Sequence, residues 1–408
     1  MTLHLLDIND CKLGFGTSDT KQFQPGIAHW NGKSYTFGEL AWPQLKRTPT
    51  DMLHRYWMQP TLDPLSPPLG HARHSADLIH AHIDHLTRHQ AADTVVAVPG
   101  HYTDEQLSLL LGILQATEIR PTRLIHRSIA TVYPWVAAAR VLHIELQLHQ
   151  LAATELHVVD RELTVKRTTT VAGQGLLALR DRLLQVINSI FIEQARFDAL
   201  RSGKDEQNLS NQIDTLLAQN PSFEAEYCFH CQGHTIALDR DQLRPAYQPI
   251  IDAISRFGPT QAQCLIEDHD FKLKHFCPSD WQATRVDTQA TFNDVDAWIE
   301  LTPGSDAFTL IDTLPFELAQ QKTDNPTAPV ARQSVPYGLS NHHATPLKQW
   351  LKKQAPSASL DHWVLTLSSN APELITVNGR LVSRQQKLNA GDTLNINGSI
   401  LTLIEISG

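Results

Sequence analysis

The sequence predicts a mixed α/β body over residues 1–303, followed by a small all-β sandwich over residues 304–408. In the body, Thr94–Val98 is a continuous β-prone run that ends at Pro99-Gly100 and precedes a helix start, the pattern of a buried strand in a βα unit. Near the end, short β-prone runs alternate with turn dipeptides such as Asn378-Gly379. Between them, helical periodicity gives way to a stretch with several prolines, which places the boundary near residue 303.

The composition of the chain argues against two classes of binding partner and predicts a cellular compartment. The 408 residues carry 34 basic and 43 acidic side chains, a net charge of −9, and no basic stripe, so we expect no nucleic-acid partner. No apolar run approaches the roughly 18 residues of a membrane span, so we expect no membrane partner. The first residues contain no basic segment of a secretory signal, and the five cysteines are scattered. Together these features predict a cytoplasmic protein.

The elements of the body follow from local patterns. Asn31-Gly32 predicts a hairpin turn, and apolar residues at helical spacing predict a helix over Ser75–His89. Thr103 with Gln106 is the signature of a capping box at the start of the next helix. Further on, the sequence predicts two paired strands over Leu151–Val159 and Leu163–Val171, and then a long helix from Leu176. Strands and helices therefore alternate through most of the first 303 residues.

Two segments carry a family resemblance. Residues 94–106 contain a strand, then Val-Pro-Gly-His-Tyr and Thr-Asp-Glu-Gln, and residues 123–125 supply the next strand. Residues 141–184 contain a predicted strand pair, then Ala-Gly-Gln-Gly and a predicted helix. In this order of elements, residues 1–303 resemble the ATPase domain of DnaK-type heat-shock proteins. The resemblance implies an actin-like (ribonuclease H-like) two-lobed ATPase fold.

The resemblance also implies a phosphate site, in which two glycine-rich hairpins bring backbone N–H groups onto the nucleotide and carboxylates hold Mg²⁺. By position, Asp7 and Lys12 fall in the first hairpin and Glu145 in the second. Gly173 and Gly175 precede a helix whose N-terminus would face the nucleotide. These five residues are the candidate nucleotide-binding residues.

Most of the residues with which the family binds and hydrolyses ATP are replaced in this sequence. Neither Ile8–Lys12 nor Gln147–Gln150 contains glycine, the family's lysine corresponds to His54, and its glutamate corresponds to Arg127. Side chains such as Leu148 would occupy space that phosphates need. We therefore assign no catalytic residue and no cofactor, and predict a pseudo-ATPase that has lost ATP hydrolysis. Binding of ATP and Mg²⁺ stays open as an alternative.

The last hundred residues carry a second resemblance. Ser340 and His343 match a Ser-x-x-His motif, Asn378 begins an Asn-Gly turn, and residues 388–394 read Leu-Asn-Ala-Gly-Asp-Thr-Leu. With Phe308–Ile311 as a first strand, residues 304–408 resemble the forkhead-associated domain, a β-sandwich that reads phosphothreonine peptides. The resemblance implies Lys322, Ser340, His343 and Asn378 as phosphopeptide-binding residues, although a lysine replaces the family's arginine.

Two groups of metal-type side chains have simpler interpretations. His82 and two further histidines share one face of a predicted helix, which favours a solvated face over a metal site. Cys228 and Cys231, with His234 nearby, lie in a predicted strand, where positions three apart face opposite sides. We therefore predict ordinary thiols and no metal site.

Three functions follow. The first is a catalytically degenerate DnaK-like protein that acts as a protein-binding scaffold or adaptor with unidentified protein partners. The second is a divergent ATP-binding chaperone-type ATPase that uses Asp7, Lys12 and Glu145. The third is a phosphothreonine reader in the C-terminal domain.

Overall fold

The computed structural model describes most of the chain in two compact units, residues 1–319 and 320–408. The described residues are 3–218, 227–267, 272–287, 290–293, 295, 299–302, 309–316, 335–340, 343–355, 357–361, 363–367, 375–382, 385–388, 392–397 and 399–406. The first unit contains both helices and strands, in agreement with the mixed α/β prediction.

The first unit is built mainly on two sheets. Its strands are β1 (His4–Asp7), β2 (Leu13–Gly16), β3 (Lys21–Gln24), β4 (Ala28–Trp30), β5 (Tyr35–Phe37), β6 (Met52–Leu53), β7 (Asp93–Val98), β8 (Arg120–His126), β9 (Arg140–Leu146), β10 (Gln150–Val159), β11 (Glu162–Ala172), β12 (Tyr227–Cys231), β13 (His234–Leu238), β14 (Gln263–Glu267), β15 (Thr284–Val286), β16 (Leu310–Ile311) and β17 (Thr313–Pro315). Its helices are α1 (Ser75–Thr87), α2 (Asp104–Gln115), α3 (Arg127–Val132), α4 (Leu176–Ala195), α5 (Gly203–Ala218), α6 (Arg240–Ser255) and α7 (Ala290–Asn293).

The two sheets have a similar topology. The first has the strand order β16-β8-β7-β1-β2-β3, and the second has the order β15-β14-β9-β10-β11-β17. In each, three consecutive strands form an antiparallel meander, and later strands add in parallel to the free side of its first strand. Apolar side chains of both sheets, among them Val95 and Leu265, meet in one buried cluster. The carboxyl ends of β1, β8, β9 and β14 can therefore approach one another.

Local sequence explains the elements that surround this junction. The β7 strand is buried along nearly its whole length, as its continuous apolar run predicts. Both hydrogen bonds of the predicted capping box between Thr103 and Gln106 are present at the start of α2. The apolar face of α1, which includes Ile79 and Ile83, is fully buried. Among the described residues, no helix is both long and apolar enough to cross a membrane.

The described residues of the second unit form antiparallel strands and one helix. Its elements are β18 (Val335–Ser340), β19 (His343–Pro346), α8 (Leu347–Gln354), β20 (Ala358–Asp361), β21 (Val364–Leu367), β22 (Ile375–Val377), β23 (Arg380–Leu381), β24 (Gln385–Lys387), β25 (Thr393–Ile396) and β26 (Ser399–Ile406). The strands form a six-stranded and a three-stranded sheet. The prediction of an all-β domain is wrong for residues 347–354, which form the α8 helix. This helix is stabilised by Leu347 and Leu351, which lie one turn apart and are buried in the core of this unit.

The division between the units also differs from the predicted boundary at 303/304. The compact units separate after Ala319. Leu310 and Ile311, expected to begin the C-terminal domain, pair in parallel with β8 of the first unit. Residues 313–315 pair with β11, also in the first unit. The prediction failed here because two very short β-prone segments carry no signal of which sheet they join.

Candidate functional site

Four polar residues meet where the strands of the two sheets end. Asp7 is the last residue of β1, Arg127 follows β8, Glu145 is the penultimate residue of β9, and Glu267 ends β14. Glu145 and Glu267 are direct neighbours, since β9 and β14 pair in parallel at that register. All four side chains are almost completely buried. The fold thus brings three carboxylates and one guanidinium into a single interior cluster.

Arg127 is the centre of this cluster, which we call the Arg127 cluster. Its Nε and Nη2 donate to the two carboxylate oxygens of Asp7, at 2.6 and 3.0 Å. Its Nη1 donates to Oε2 of Glu145 at 2.5 Å, while Nη1 and Nη2 both donate to Glu267. A guanidinium has five N–H donors, and these five bonds use every one of them. No donor of Arg127 is left for a bound ligand.

The Arg127 cluster contains more carboxylates than guanidinium groups, and the imidazole Nε2 of His143 lies 3.6 Å from Glu267. One guanidinium faces three carboxylates in a region from which water is excluded. Burial raises the pKa of Glu145 to about 7, against the opposing effect of Arg127. Although burial alone lowers the pKa of Arg127, the attraction of the carboxylates raises it well above its ordinary value. Arg127 therefore keeps its charge, while burial favours the protonated form of Glu145.

The turns that follow β1 and β9 contact each other directly. Asn9 donates through Nδ2 to the Leu146 carbonyl at 3.2 Å, and the Leu148 amide donates to Oδ1 of Asp10 at 2.6 Å. These are the two segments in which the resemblance implies phosphate-binding hairpins. Hydrogen bonds between the hairpins use the backbone and side-chain groups that would otherwise contact a phosphate between them.

Asp10 is the most unusual residue in these turns. Its carboxyl group is buried, and its Oδ2 atom has no hydrogen-bond partner. Burial raises the pKa of Asp10 to about 7, partly offset by the hydrogen bond from Leu148. Burial of a charged carboxylate whose Oδ2 has no partner costs free energy, which is why the pKa of Asp10 is raised.

The N-terminus of α4 is also closed. Its first N–H groups, of Leu176 and Leu177, donate to the carbonyls of Gln147 and Leu148 at 2.9 and 3.0 Å. Free N–H groups at a helix start are the usual anion-binding groups, and here the second turn uses them. Gly175 permits this contact, because a Cβ there would lie 2.4 Å from the Gln150 backbone nitrogen.

Alanine substitutions at Gly173 and Gly175 should destabilise the protein for different reasons, one through backbone conformation and the other through close packing. Gly175→Ala should lower the free energy of unfolding by about 3 kcal/mol, since the new methyl group meets fixed backbone atoms. Gly173→Ala should cost only about 1 kcal/mol, since its surroundings are open and only its positive φ of 75° is unfavourable. Urea titration of both variants measures the difference. Equal losses would contradict the packing role of Gly175.

The structure separates the five predicted nucleotide-binding residues. It brings Asp7 and Glu145 together around Arg127, and it places Gly173 and Gly175 beside the turn after β9. The side chain of Lys12 packs over an aromatic ring, with its Nζ 5.0 Å from the ring centre of Phe23.

Sequence reasoning missed Asp10 and Glu267 as parts of this region, and it noted Arg127 only as a replacement. A signal for Glu267 was present, because it ends a short apolar strand as Asp7 does. No local pattern marks Asp10, whose neighbour across the turn lies more than a hundred residues away.

The predicted phosphopeptide residues are placed only in part. Lys322 lies outside the described residues. Ser340 and His343 pair in backbone register between β18 and β19. Asn378, at the β22–β23 turn, donates to Asp392 and accepts from the Thr393 amide, both at 2.8 Å, so its side-chain amide stabilises the fold. Phosphothreonine recognition stays a prediction.

The prediction of a solvated histidine face is confirmed for His85 and His89, which are exposed, and is wrong for His82. His82 does not lie on a solvated face: it is fully buried, with Nδ1 receiving hydrogen bonds from Tyr56 at 2.6 Å and from Trp57 at 3.1 Å. Burial lowers the pKa of His82 to about 3, so it is neutral. Within the parts of the chain that the structure describes, no group of three or more His, Cys, Asp or Glu side chains has an arrangement that could hold a metal ion.

No protein-family model matches this sequence, and no curated protein is significantly similar to it. The argument for function therefore comes from the geometry of the Arg127 cluster and of the two turns.

Proposed function

We propose that the first unit is a degenerate actin-like, DnaK-related domain in which the Arg127 cluster takes the place of a nucleotide. The shared strand order of the two sheets supports the fold assignment, with the cluster at the strand ends that meet between them. The single observation that carries the functional proposal is that carboxylates of this chain use all five donors of Arg127.

These residues do not fit ATP and Mg²⁺. Asp7 and Glu145, the candidate metal-binding carboxylates, are both hydrogen-bonded to Arg127. The backbone donors at the start of α4 are used by carbonyls, and Lys12 packs over an aromatic ring. A triphosphate would have to break several buried charge-assisted hydrogen bonds before it could bind. We derive no catalytic step through a nucleotide.

A domain whose nucleotide site is filled by its own side chains can still bind other proteins through its surface. We therefore propose that the protein acts in the cytoplasm as a protein-binding scaffold or adaptor, with the C-terminal unit as a second docking module. The five cysteines support that compartment, since the structure contains them as free thiols. Fold alone does not establish function, so the proposal depends on the site.

Thermal unfolding of the full chain with and without millimolar Mg·ATP tests this proposal. A ligand present at 100 times its dissociation constant stabilises a protein by about 2.7 kcal/mol. We expect no such shift with Mg·ATP or Mg·ADP beyond that seen with Mg²⁺ and tripolyphosphate, the matched ionic control. We also expect ATP hydrolysis no faster than that of Glu145→Gln.

A nucleotide-specific upward shift would overturn the scaffold proposal. It would favour the divergent chaperone-type ATPase, with Asp7 and Glu145 as the residues to change next. Hydrolysis above the level of Glu145→Gln would have the same consequence.

A further inference from the structure

Two adjoining cavities lie in the first unit, lined by residues outside the Arg127 cluster. One has a volume of about 620 Å³ and the other about 540 Å³. They share a wall that includes His54, Arg55 and Met58. Volumes of this size are typical of small-molecule sites. Neither the cluster nor the scaffold proposal uses them.

The smaller cavity has a largely apolar wall. It includes the side chains of Met52, Leu65, Leu69 and Leu78. Ser75, a buried polar residue of this wall, is already paired within the protein: its Oγ accepts from the Thr61 amide at 2.6 Å and donates to the Thr61 carbonyl at 2.9 Å. The interior part of the wall therefore favours the hydrocarbon part of a ligand.

Arg55 supplies the charge at the shared wall. Its side chain is exposed, and no carboxylate of the described residues pairs with it. The other cations of the larger cavity are paired: Lys46 lies 2.6 Å from Asp181 and 3.1 Å from Glu206, and Arg180 forms an ion pair with Asp214. Arg55 is therefore the guanidinium available to a ligand.

The neighbouring histidines add no competing charge. Nδ1 of His54 and Nε2 of His149 lie 2.9 Å apart in a shared hydrogen bond. Burial lowers the pKa of both rings, that of His149 to about 4. Both imidazoles are neutral near pH 7, which leaves the guanidinium as the group that selects the charge of a ligand head.

We propose that the apolar cavity binds an amphiphilic carboxylate, with its hydrocarbon body against the half-buried Leu53, Leu65 and Leu69 and its carboxylate on Arg55. A guanidinium donates two parallel hydrogen bonds to a carboxylate, which a neutral head group cannot accept with the same strength.

Decanoate and its neutral counterpart decanol test the proposal on the full chain. Binding is measured by displacement of a fluorescent anionic naphthalene dye at neutral pH. We expect saturable binding of decanoate, at least about tenfold tighter than that of decanol, since hydrogen bonds between two charged groups are stronger than those to a neutral hydroxyl. Arg55→Gln should abolish this preference while the affinity for decanol is unchanged. Arg47→Gln, an exposed arginine that lines neither cavity, is the matched control.

A second variant tests the apolar wall. Leu65→Glu places a carboxylate in a half-buried position of the cavity, and it should eliminate decanoate binding by repulsion. Equal affinities of the wild type for decanoate and decanol would overturn the proposal, as would unchanged decanoate binding in Arg55→Gln. Retention of tight binding by Leu65→Glu would locate the ligand elsewhere, and no saturable binding at all would remove the site.

Discussion

Replacement of Arg127 by alanine is expected to lower the free energy of unfolding by about 3–5 kcal/mol. The change removes the only guanidinium from the Arg127 cluster and leaves the buried carboxylates of Asp7, Glu145 and Glu267 without their common partner. Each must then be protonated or remain charged in a region without water, and both cost free energy. Urea titration followed by tryptophan fluorescence measures the loss.

Two further variants define the cause. Arg120→Ala removes an exposed ion pair with Asp93, and it should cost no more than about 1 kcal/mol. Arg127→Lys keeps the charge but not the planar arrangement of five donors, so its stability should lie between those of the wild type and the alanine variant. A loss with Arg127→Ala as small as that of Arg120→Ala would contradict the central role of the guanidinium.

The second large effect is a pH dependence that belongs to Asp10. Its folded pKa of about 7 lies above the ordinary value of 3.8, so between these values the folded state holds a proton that the unfolded state has released. Stability from this group is present below about pH 4 and is lost as the pH rises through 7. Each tenfold change in proton affinity corresponds to about 1.4 kcal/mol. The expected loss between pH 5 and pH 8 is about 2–3 kcal/mol.

Asp10→Asn should not show this loss, because asparagine accepts the hydrogen bond from Leu148 without an ionisable group. Relative to the wild type, the variant should therefore gain stability as the pH rises from 5 to 8. The buried histidines contribute to both proteins and largely cancel in the difference, whereas Glu145, whose charge raises the pKa of Asp10, is part of the measured effect. Asp19→Asn, at an exposed position of the following turn, is the control. A difference between wild type and Asp10→Asn that does not change with pH would show that Asp10 is ionised throughout.

Both experiments bear on the proposed function as well as on stability. If Arg127 and a protonated Asp10 hold the two turns together, the same groups exclude a triphosphate from between them. A Mg·ATP-dependent shift that appears only in Arg127→Ala would support the inference that the internal ion network competes with the nucleotide. Such a shift in the wild type would contradict it.

Local patterns in the sequence determined much of the secondary structure. The paired strands β10 and β11 lie within one residue of their predicted bounds, since two β-prone runs flank the polar turn Asp160-Arg161. The capping box of α2 was recognisable because it depends on two residues, Thr103 and Gln106, that are three positions apart. The mixed α/β character of the first unit followed from such elements.

Only the tertiary structure decided what the polar residues do. Arg127 was recognisable as a departure from the family pattern, but its partners lie 120, 18 and 140 positions away in Asp7, Glu145 and Glu267. Likewise, His82 has the spacing of a solvated helix face but is buried against Trp57. Local spacing governs the backbone, because helices and strands form from near neighbours. The pairing of buried charges depends on which strand ends the fold brings together, and no local pattern in the sequence contains that information.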